Sequence, residues 1–231
     1  VPARYLASST PGAVAAHFEV AARATATQPA VELRRLEHEM HELVVVMPDR
    51  PGLLAAIAAA LVAARLEVHA AQIHSYARPD GATYALDLFR VRGPGADPRQ
   101  LEHTQRQIER ELGAMLAGQR SAAEVATSRG KPNWAERPTP AVETRVSIDD
   151  RGSQRHGIIE VITRDRPGVL FALASALHDL DLSLSLAKIN TEGTRVADVF
   201  YVTTTDGGKP MLRARRDEVE RGITAALAGI S

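Results

Sequence analysis

Hydrophobic positions divide the chain into two stretches that predict the same order of elements. The first stretch opens with an apolar, β-branched run at residues 43–47, which is typical of a buried strand. A helix is predicted next, because Leu53, Ile57 and Leu61 recur at the spacing of one helical face. The elements that follow are two strands of a hairpin and a second amphipathic helix, at residues 66–73, 83–91 and 98–116.

The second stretch repeats the first. An Asp-Arg-Pro-Gly motif at residues 49–52 returns 116 residues later, at residues 165–168, and each copy ends a strand and begins a helix. Val169, Leu173 and Leu177 then form the same helical face as in the first copy. A duplication at matching turn and helix positions indicates two copies of one module. The order predicts an α+β fold of two ferredoxin-like βαββαβ modules, with antiparallel sheets that carry helices on one face.

The expected domain boundaries follow from these elements. Residues 1–30 are a linker or the end of an upstream domain, residues 31–150 are the first module with a long connection, and residues 151–231 are the second. Within the connection, residues 118–140 lack a period and are predicted to be a linker. Residues 144–148 are a candidate fourth strand of the first module. The fourth strand of the second module is missing from the segment, not needed, or supplied from elsewhere, for which residues 31–36 are one candidate.

Composition limits the classes of function. The 28 basic and 28 acidic residues balance, so the charge gives no reason to expect nucleic acid or a membrane as a partner. The chain has no cysteine, which agrees with a reducing cytoplasm, and it has no apolar run of the ~20 residues that span a bilayer. Because the first residue is Val1, we expect a piece of a longer or processed polypeptide.

The repeated turn is the main chemical feature. Unpaired N–H groups and the dipole at a helix start favour a small anion such as a carboxylate. Gly52 and Gly168 remove a side chain where a ligand would approach, although a purely structural turn explains either copy alone. Arg50 and Arg166 are candidates to pair with a ligand carboxylate, and the alternative is that they are solvated or pair with a nearby acid.

Other polar residues support no further site. Asp87 and Asp198 lie in mid-strand, where a carboxylate either orients a ligand or, as we expect, faces solvent or accepts hydrogen bonds from an adjoining turn. The eight histidines show no zinc-binding spacing, and no catalytic triad or carboxylate pair stands out. We therefore predict no catalytic residue, no metal and no cofactor in this segment.

The Asp-Arg-Pro-Gly motif after an apolar strand resembles the ACT domain, a βαββαβ module that pairs with another copy and binds amino acids at the interface. Residues 68–73 and 197–202 are similar to the tandem ACT region at the C-terminus of the bacterial PII uridylyltransferase/uridylyl-removing enzyme family. Residues 4–6 and 16–17 resemble the stretch that leads out of that family's hydrolase domain. The family's two catalytic motifs are not in this sequence.

The resemblance implies a cytoplasmic regulatory segment that senses glutamine or a similar amino acid. It further implies control of the uridylyltransferase and uridylyl-removing activities of upstream catalytic domains in the same polypeptide, which act on the PII signalling protein. Two alternatives stand beside it. One is a stand-alone tandem ACT module for interaction or assembly without a metabolite, and the other is an enzyme, which the lack of a catalytic set disfavours.

The predicted ligand site places the amino-acid carboxylate at a helix start and the rest of the ligand against the second strand of the partner copy. We expect the second copy, at Gly168, to be the occupied one, because a more typical strand precedes its turn. The candidate residues are Asp49, Arg50, Gly52, Leu53, Leu54, Gln72, Ile73, Asp165, Arg166, Gly168, Val169, Leu170, Lys188, Ile189 and Asn190.

Overall fold

Each half of the chain forms its own antiparallel sheet, which confirms the predicted α+β class with two modules. The computed structural model describes residues 5–6, 9–37, 39–93, 95, 97–128, 142–189, 191–192 and 195–230. The first half contains, in order, α1 (Pro11–Arg23), β1 (Ala30–Arg35), β2 (Met40–Pro48), α2 (Leu53–Ala63), β3 (Glu67–Ala77), β4 (Thr83–Arg92), α3 (Pro98–Leu116) and α4 (Ala122–Thr127).

The second half repeats these elements from its first strand onwards. Its strands and helices are β5 (Arg145–Asp149), β6 (Gly157–Arg164), α5 (Val169–Asp179), β7 (Leu182–Lys188), β8 (Thr191–Glu192), β9 (Arg195–Thr204), a 3₁₀ turn (Leu212–Arg215) and α6 (Arg216–Ala228). The strand orders are β1-β2-β4-β3 and β5-β6-β9-β7, with the short β8 also paired to β9. A β-bulge at residue 69 in β3 recurs at residue 185 in β7, so the copies agree even in this irregularity.

The outer strand of each sheet corrects the sequence-based assignment. β1 pairs with β2, with Val31 opposite Val45, whereas β5 pairs with β6, with Val146 opposite Val161. Residues 144–148 therefore do not complete the first module, and residues 31–36 do not complete the second. The order within each module is strand, strand, helix, strand, strand, helix, because the outer strand precedes its module instead of following it. The predicted boundary at residue 150 thus separates β5 from the sheet that it joins.

Helices cover the first sheet on both faces. α2 and α3 pack on one face, and α1 packs on the other face against residues such as Val44, Val46 and Leu86. This explains why residues 43–47 of β2 are all buried instead of alternating. β6, at the same place in the second sheet, alternates between buried and partly exposed positions.

α2 differs from the single apolar stripe that Leu53, Ile57 and Leu61 predicted. Ten of its eleven residues are buried, because the helix lies between the first sheet, α4 and α5. α4 falls inside residues 118–140, which we predicted to be a linker, and a capping box of Ser121 and Glu124 begins it. Trp134 and the rest of residues 129–141 lie outside the described part of the chain.

The two modules contact each other, and they lie side by side. α2 packs against α5, and the edge strands β3 and β7 lie next to each other. One cluster of buried side chains includes residues of both modules, among them Ile57 and Leu61 from α2 and Leu173 and Leu177 from α5. The pair therefore shares a core larger than a single module of this size buries alone.

The arginine of each repeated turn joins that turn to the last helix of its own module. Arg50 donates hydrogen bonds to the carbonyl oxygens of Met115 (2.9 Å) and Leu116 (3.3 Å) at the end of α3. Arg166 donates in the same way to the carbonyl of Leu227, near the end of α6. Helix C-termini carry unpaired carbonyls and negative dipole ends, so a guanidinium there satisfies both. The structure thus gives each guanidinium a backbone partner in place of the ligand carboxylate or nearby acid considered above.

Replacing Arg50 by alanine should lower the free energy of unfolding by about 1–3 kcal/mol, because two carbonyls lose a charged donor. Arg50→Lys should restore only part of this loss, since an ammonium lacks the planar fork. Urea denaturation of the whole chain measures the effect. Arg106→Ala is the matched control, because the Arg106 side chain is 66% exposed and its ion pair among the described residues is with Glu102 on the same helix. Equal losses for the two alanine variants would show that the helix-end contact does not stabilise the fold.

Candidate functional site

A cavity of about 670 Å³ lies between the two modules. The first module contributes the Asp-Arg-Pro-Gly turn with the start of α2, the end of β3 and part of β4. The second contributes the C-terminal part of α5, residues 182–186 of β7 and residues that end and follow β9. Because the end of β3 and the start of β7 meet at the same cavity, these neighbouring edge strands run in opposite directions.

The start of α2 presents backbone N–H groups without a side-chain cap. Its N-cap is Gly52, which has a φ of 76° and offers no side-chain hydrogen bond. A Cβ atom at Gly52 would lie 3.2 Å from the His178 ring, so a larger residue would crowd the cavity as well as strain the backbone. Gly168 has the corresponding left-handed conformation, with a φ of 88°. A Cβ atom there would lie 3.6 Å from Ile230, in ordinary contact.

Small side chains on β7 keep the space in front of the first turn open. Ser183 and Ser185 line the cavity. The equivalent positions in β3, 116 residues earlier, are Glu67 and His69. Those larger residues act on the second turn, because Glu67 raises the pKa of Asp165 and His69 lowers it, after the larger upward effect of desolvation. The two copies of the turn therefore face different surroundings although their backbones match.

Asp87 of β4 is a buried carboxylic acid in the lining of this cavity, and its side chain is 1% exposed. One carboxylate oxygen accepts a hydrogen bond from the backbone N–H of His74 at 3.3 Å, and the other has no hydrogen-bond partner among the described residues. Burial raises the pKa of Asp87 well above its ordinary range. The His74 hydrogen bond opposes that rise in pKa, and the Asp49 carboxylate adds to it.

Asp198 occupies the equivalent position in β9 and is also 1% exposed. The interpretation that Asp87 and Asp198 face solvent is therefore wrong. Asp87 lies on the α2 side of its sheet, because it is opposite the buried Val45 of β2. Asp198 lies on the α5 side of its sheet, because it is opposite the buried Val161 of β6. The Asp87 carboxylate accepts its hydrogen bond from the neighbouring strand and not from a turn.

The cavity brings together part of the predicted ligand set. The members that line it are Asp49, Arg50, Gly52, Leu53, Leu54 and Ile73. The described members that do not line it are Gln72, Asp165, Arg166, Gly168, Val169, Leu170, Lys188 and Ile189. Asn190 lies outside the described residues. The cavity thus lies at the first turn, whereas the sequence analysis favoured the second.

The strand of the second module that lines the cavity is β7, which contains the predicted Lys188. The residues of β7 that face the cavity come earlier in the strand than Lys188. Residues 182–186 line the cavity, in place of the expected Lys188 and Ile189. The reason is the opposite direction of β3 and β7, which places the start of β7 beside the end of β3. Lys188 is exposed, and its Nζ atom lies 5.8 Å from the centroid of the Tyr201 ring. Gln72 is also exposed.

Several residues that line the cavity are not among the predicted ligand residues. Ser183, Ser185 and His178 carried no motif, and only the repeat offset marks the two serines as the counterparts of larger residues. Asp87 is not among the predicted ligand residues, because a carboxylate in mid-strand usually faces solvent. In the described part of the chain, no group of three or more His, Asp or Glu residues is placed to hold a metal ion. None of the helices described is long and apolar enough to cross a membrane.

Comparison with known proteins agrees with this geometry. Residues 157–220 match the family model of the ACT domain. The second module is therefore similar to an ACT domain over most of its length. The first module has the same order of strands and helices and the same Asp-Arg-Pro-Gly turn, although the family match itself covers only the second. The left-handed glycine, the arginine contact to the last helix and the β-bulge recur in both copies.

Two curated relatives extend the similarity to most of the chain. A bifunctional uridylyltransferase/uridylyl-removing enzyme of Rhodospirillum rubrum is 33% identical over 192 residues, which are 83% of this chain and 20% of that protein. The enzyme of the same description from Phenylobacterium zucineum is 32% identical over 224 residues, which are 96% of this chain and 23% of that protein. These similarities confirm the resemblance found in the sequence. The chain spans about one fifth of the length of these relatives.

Among solved structures, aspartate kinase from Synechocystis aligns with 82% of this chain and 27% of its own length. The TM-score is 0.42 and the sequence identity is 15%.

Stability should depend on pH through Asp87. A carboxyl group whose pKa is higher in the folded chain favours folding below its unfolded pKa, and this contribution is lost as the pH rises through its folded pKa. Asp87→Asn removes the ionisable group and keeps the acceptor for the His74 N–H. The free energy of unfolding should therefore exceed that of the wild type at neutral and alkaline pH, and the excess should shrink as the pH falls.

Urea denaturation at a series of pH values measures this difference. Asp80→Asn is the control, because Asp80 is exposed in the turn between β3 and β4. A pH-independent difference between Asp87→Asn and the wild type would mean that Asp87 does not ionise against a burial cost.

Proposed function

We propose that this chain is a regulatory segment that binds a free amino acid, glutamine or a similar one, in the cavity between its two modules. The single observation that carries the proposal is the position of that cavity. It connects the uncapped start of α2 in the first module with β7 of the second. A ligand there touches both modules at once, and its binding free energy depends on how they are placed relative to each other.

The first turn supplies the chemistry for a carboxylate. The N–H groups in the first turn of a helix have no intrahelical partner, and the dipole favours an anion by about 0.3–1 kcal/mol, or more when partly buried. Gly52 allows the ligand to approach this backbone closely. Arg50 lines the cavity, but its guanidinium is engaged by α3. We therefore assign the carboxylate to the backbone N–H groups at the start of α2.

Hydroxyl groups on the opposite wall suit a polar side chain. Ser183 and Ser185 of β7 line the cavity, together with Thr203 and Thr204 of β9. Each hydroxyl both donates and accepts hydrogen bonds, as does the side-chain amide of glutamine. An amide that spans from the first turn to β7 bridges the modules, which supports glutamine as the first amino acid to test.

We further propose that the binding of glutamine controls the uridylyltransferase and uridylyl-removing activities of a larger polypeptide, which acts on a PII signalling protein. Support comes from the relatives, which are bifunctional uridylyltransferase/uridylyl-removing enzymes about five times longer than the part of them that this chain matches. The control passes from the module interface to catalytic domains that are not in this chain.

Thermal melting with added amino acids tests the binding. A sensor of an abundant metabolite needs a Kd of only ~1 mM, which corresponds to about −4 kcal/mol. The melting temperature should then rise modestly with glutamine concentration, by mass action. If none of the twenty amino acids shifts the melt at tens of millimolar, the segment is an interaction module without a metabolite.

Substitution of the two repeated glycines locates the site. Gly52→Asn should weaken glutamine binding by at least about tenfold, or 1.4 kcal/mol, because the new side chain enters the cavity beside His178. Gly168→Asn is the matched control, because it places the same residue at the same positive φ outside this cavity. Calorimetric titration of both variants measures the two affinities. Loss of binding in Gly168→Asn alone would assign the ligand to the second turn, and no loss in either would exclude both helix starts.

A further inference from the structure

The Asp87 carboxylate limits which chemical groups a ligand can place in the cavity. It is 1% exposed, it lines the cavity wall, and one of its oxygens has no hydrogen-bond partner among the described residues. Burying a carboxylate without a partner is costly, and proteins avoid it unless a positive group or a proton arrives. A buried acceptor in the wall of a cavity, without a partner among the described residues, therefore points to a donor that comes from the ligand.

No lysine or arginine of the described lining pairs with Asp87. Arg50 is the one lysine or arginine among the described lining residues, and both of its terminal nitrogens donate to carbonyls of α3. Asp49 lies close enough to act on Asp87, and it adds a second negative charge. His74 gives Asp87 only its backbone N–H, while its ring lies edge-on to Tyr5 at 5.4 Å between centroids.

We propose that Asp87 binds the α-ammonium group of the ligand, so that the site selects amino acids over carboxylic acids that lack the amine. This inference rests on the proposed function, since it takes the cavity as the amino-acid site. The ligand carboxylate lies at the start of α2, and its ammonium points to the sheet floor formed by β4. An ammonium there donates a charge-assisted hydrogen bond to the Asp87 oxygen that has no partner among the described residues. Its positive charge offsets the negative charges of Asp87 and Asp49.

With this arrangement, the affinity of the site depends on the α-amino group of the ligand. An acid with the same carbon skeleton but without the amine would place its carboxylate near two acidic side chains and leave Asp87 without a counter-charge. A site built to bond a substrate N–H rejects the analogue that lacks it, because its own polar group then stays unpaired. The module pair thereby distinguishes the aminated from the deaminated form of one skeleton.

The test compares two ligands on three proteins. L-Glutamine and 4-carbamoylbutanoate, which is glutamine without its α-ammonium, are titrated calorimetrically into the whole chain, Asp87→Asn and Asp198→Asn. The wild type should bind 4-carbamoylbutanoate at least about tenfold more weakly than glutamine, a difference of 1.4 kcal/mol or more. Asp87→Asn should weaken glutamine binding by a similar factor and bring the ratio of the two affinities close to one.

Asp198→Asn is the matched control. Asp198 has the same strand position and the same 1% exposure, but it does not line the cavity. That variant should keep both the wild-type affinity and the wild-type ratio. The ratio of the two affinities distinguishes a ligand contact from a purely structural role, because a loosened fold would weaken the binding of both ligands by the same factor.

Each further outcome has one meaning. If wild-type protein binds both ligands equally, Asp87 does not hold an ammonium, and this result does not depend on any variant folding. If Asp87→Asn keeps the wild-type ratio, the ammonium is held elsewhere and the inference fails, while the amino-acid site itself stands. If the wild type binds neither ligand at tens of millimolar, the proposed function fails first and the inference with it.

Discussion

The side-by-side contact of the two modules is the constraint on which the rest of the structure depends. α2 packs against α5, and β3 lies beside β7, so one hydrophobic cluster serves both halves of the chain. α2 is apolar on nearly all sides because it has neighbours on nearly all sides. The same contact creates the cavity, since the first turn, the end of β3 and the start of β7 meet only when the modules are paired. Neither module alone contains the site.

The repeat has diverged where function is proposed and stayed similar where structure requires it. The left-handed glycine, the arginine that reaches the last helix and the β-bulge in the edge strand recur in both copies. Opposite the first turn, β7 carries Ser183 and Ser185. The equivalent residues of β3, near the second turn, are Glu67 and His69. A pair of modules with the same backbone therefore offers a cavity at the first turn and, at the second turn, the charged Glu67 near Asp165.

The arginine of the repeated motif shows how a residue that suits an anion serves the fold instead. A guanidinium beside an uncapped helix start is a natural partner for a carboxylate. The carbonyls at the end of the last helix of the module compete for it, and they are present in the same chain whether or not a ligand is bound. In both copies the helix end holds the arginine. Charge recognition in the cavity is then left to the backbone N–H groups and, in our proposal, to Asp87.

The sequence by itself determined the two modules, because the Asp-Arg-Pro-Gly turns, the apolar helix faces and the strands recur at nearly constant offsets. It also determined the chemistry of the turn, since Pro and Gly dictate a local backbone. Only the tertiary structure decided which sheet β1 and β5 join, because a short alternating strand fits either edge. It alone decided that Asp87 is buried and that residues 182–186 face the first turn. Both depend on the direction in which two distant edge strands meet, and periodicity within one strand does not encode that direction.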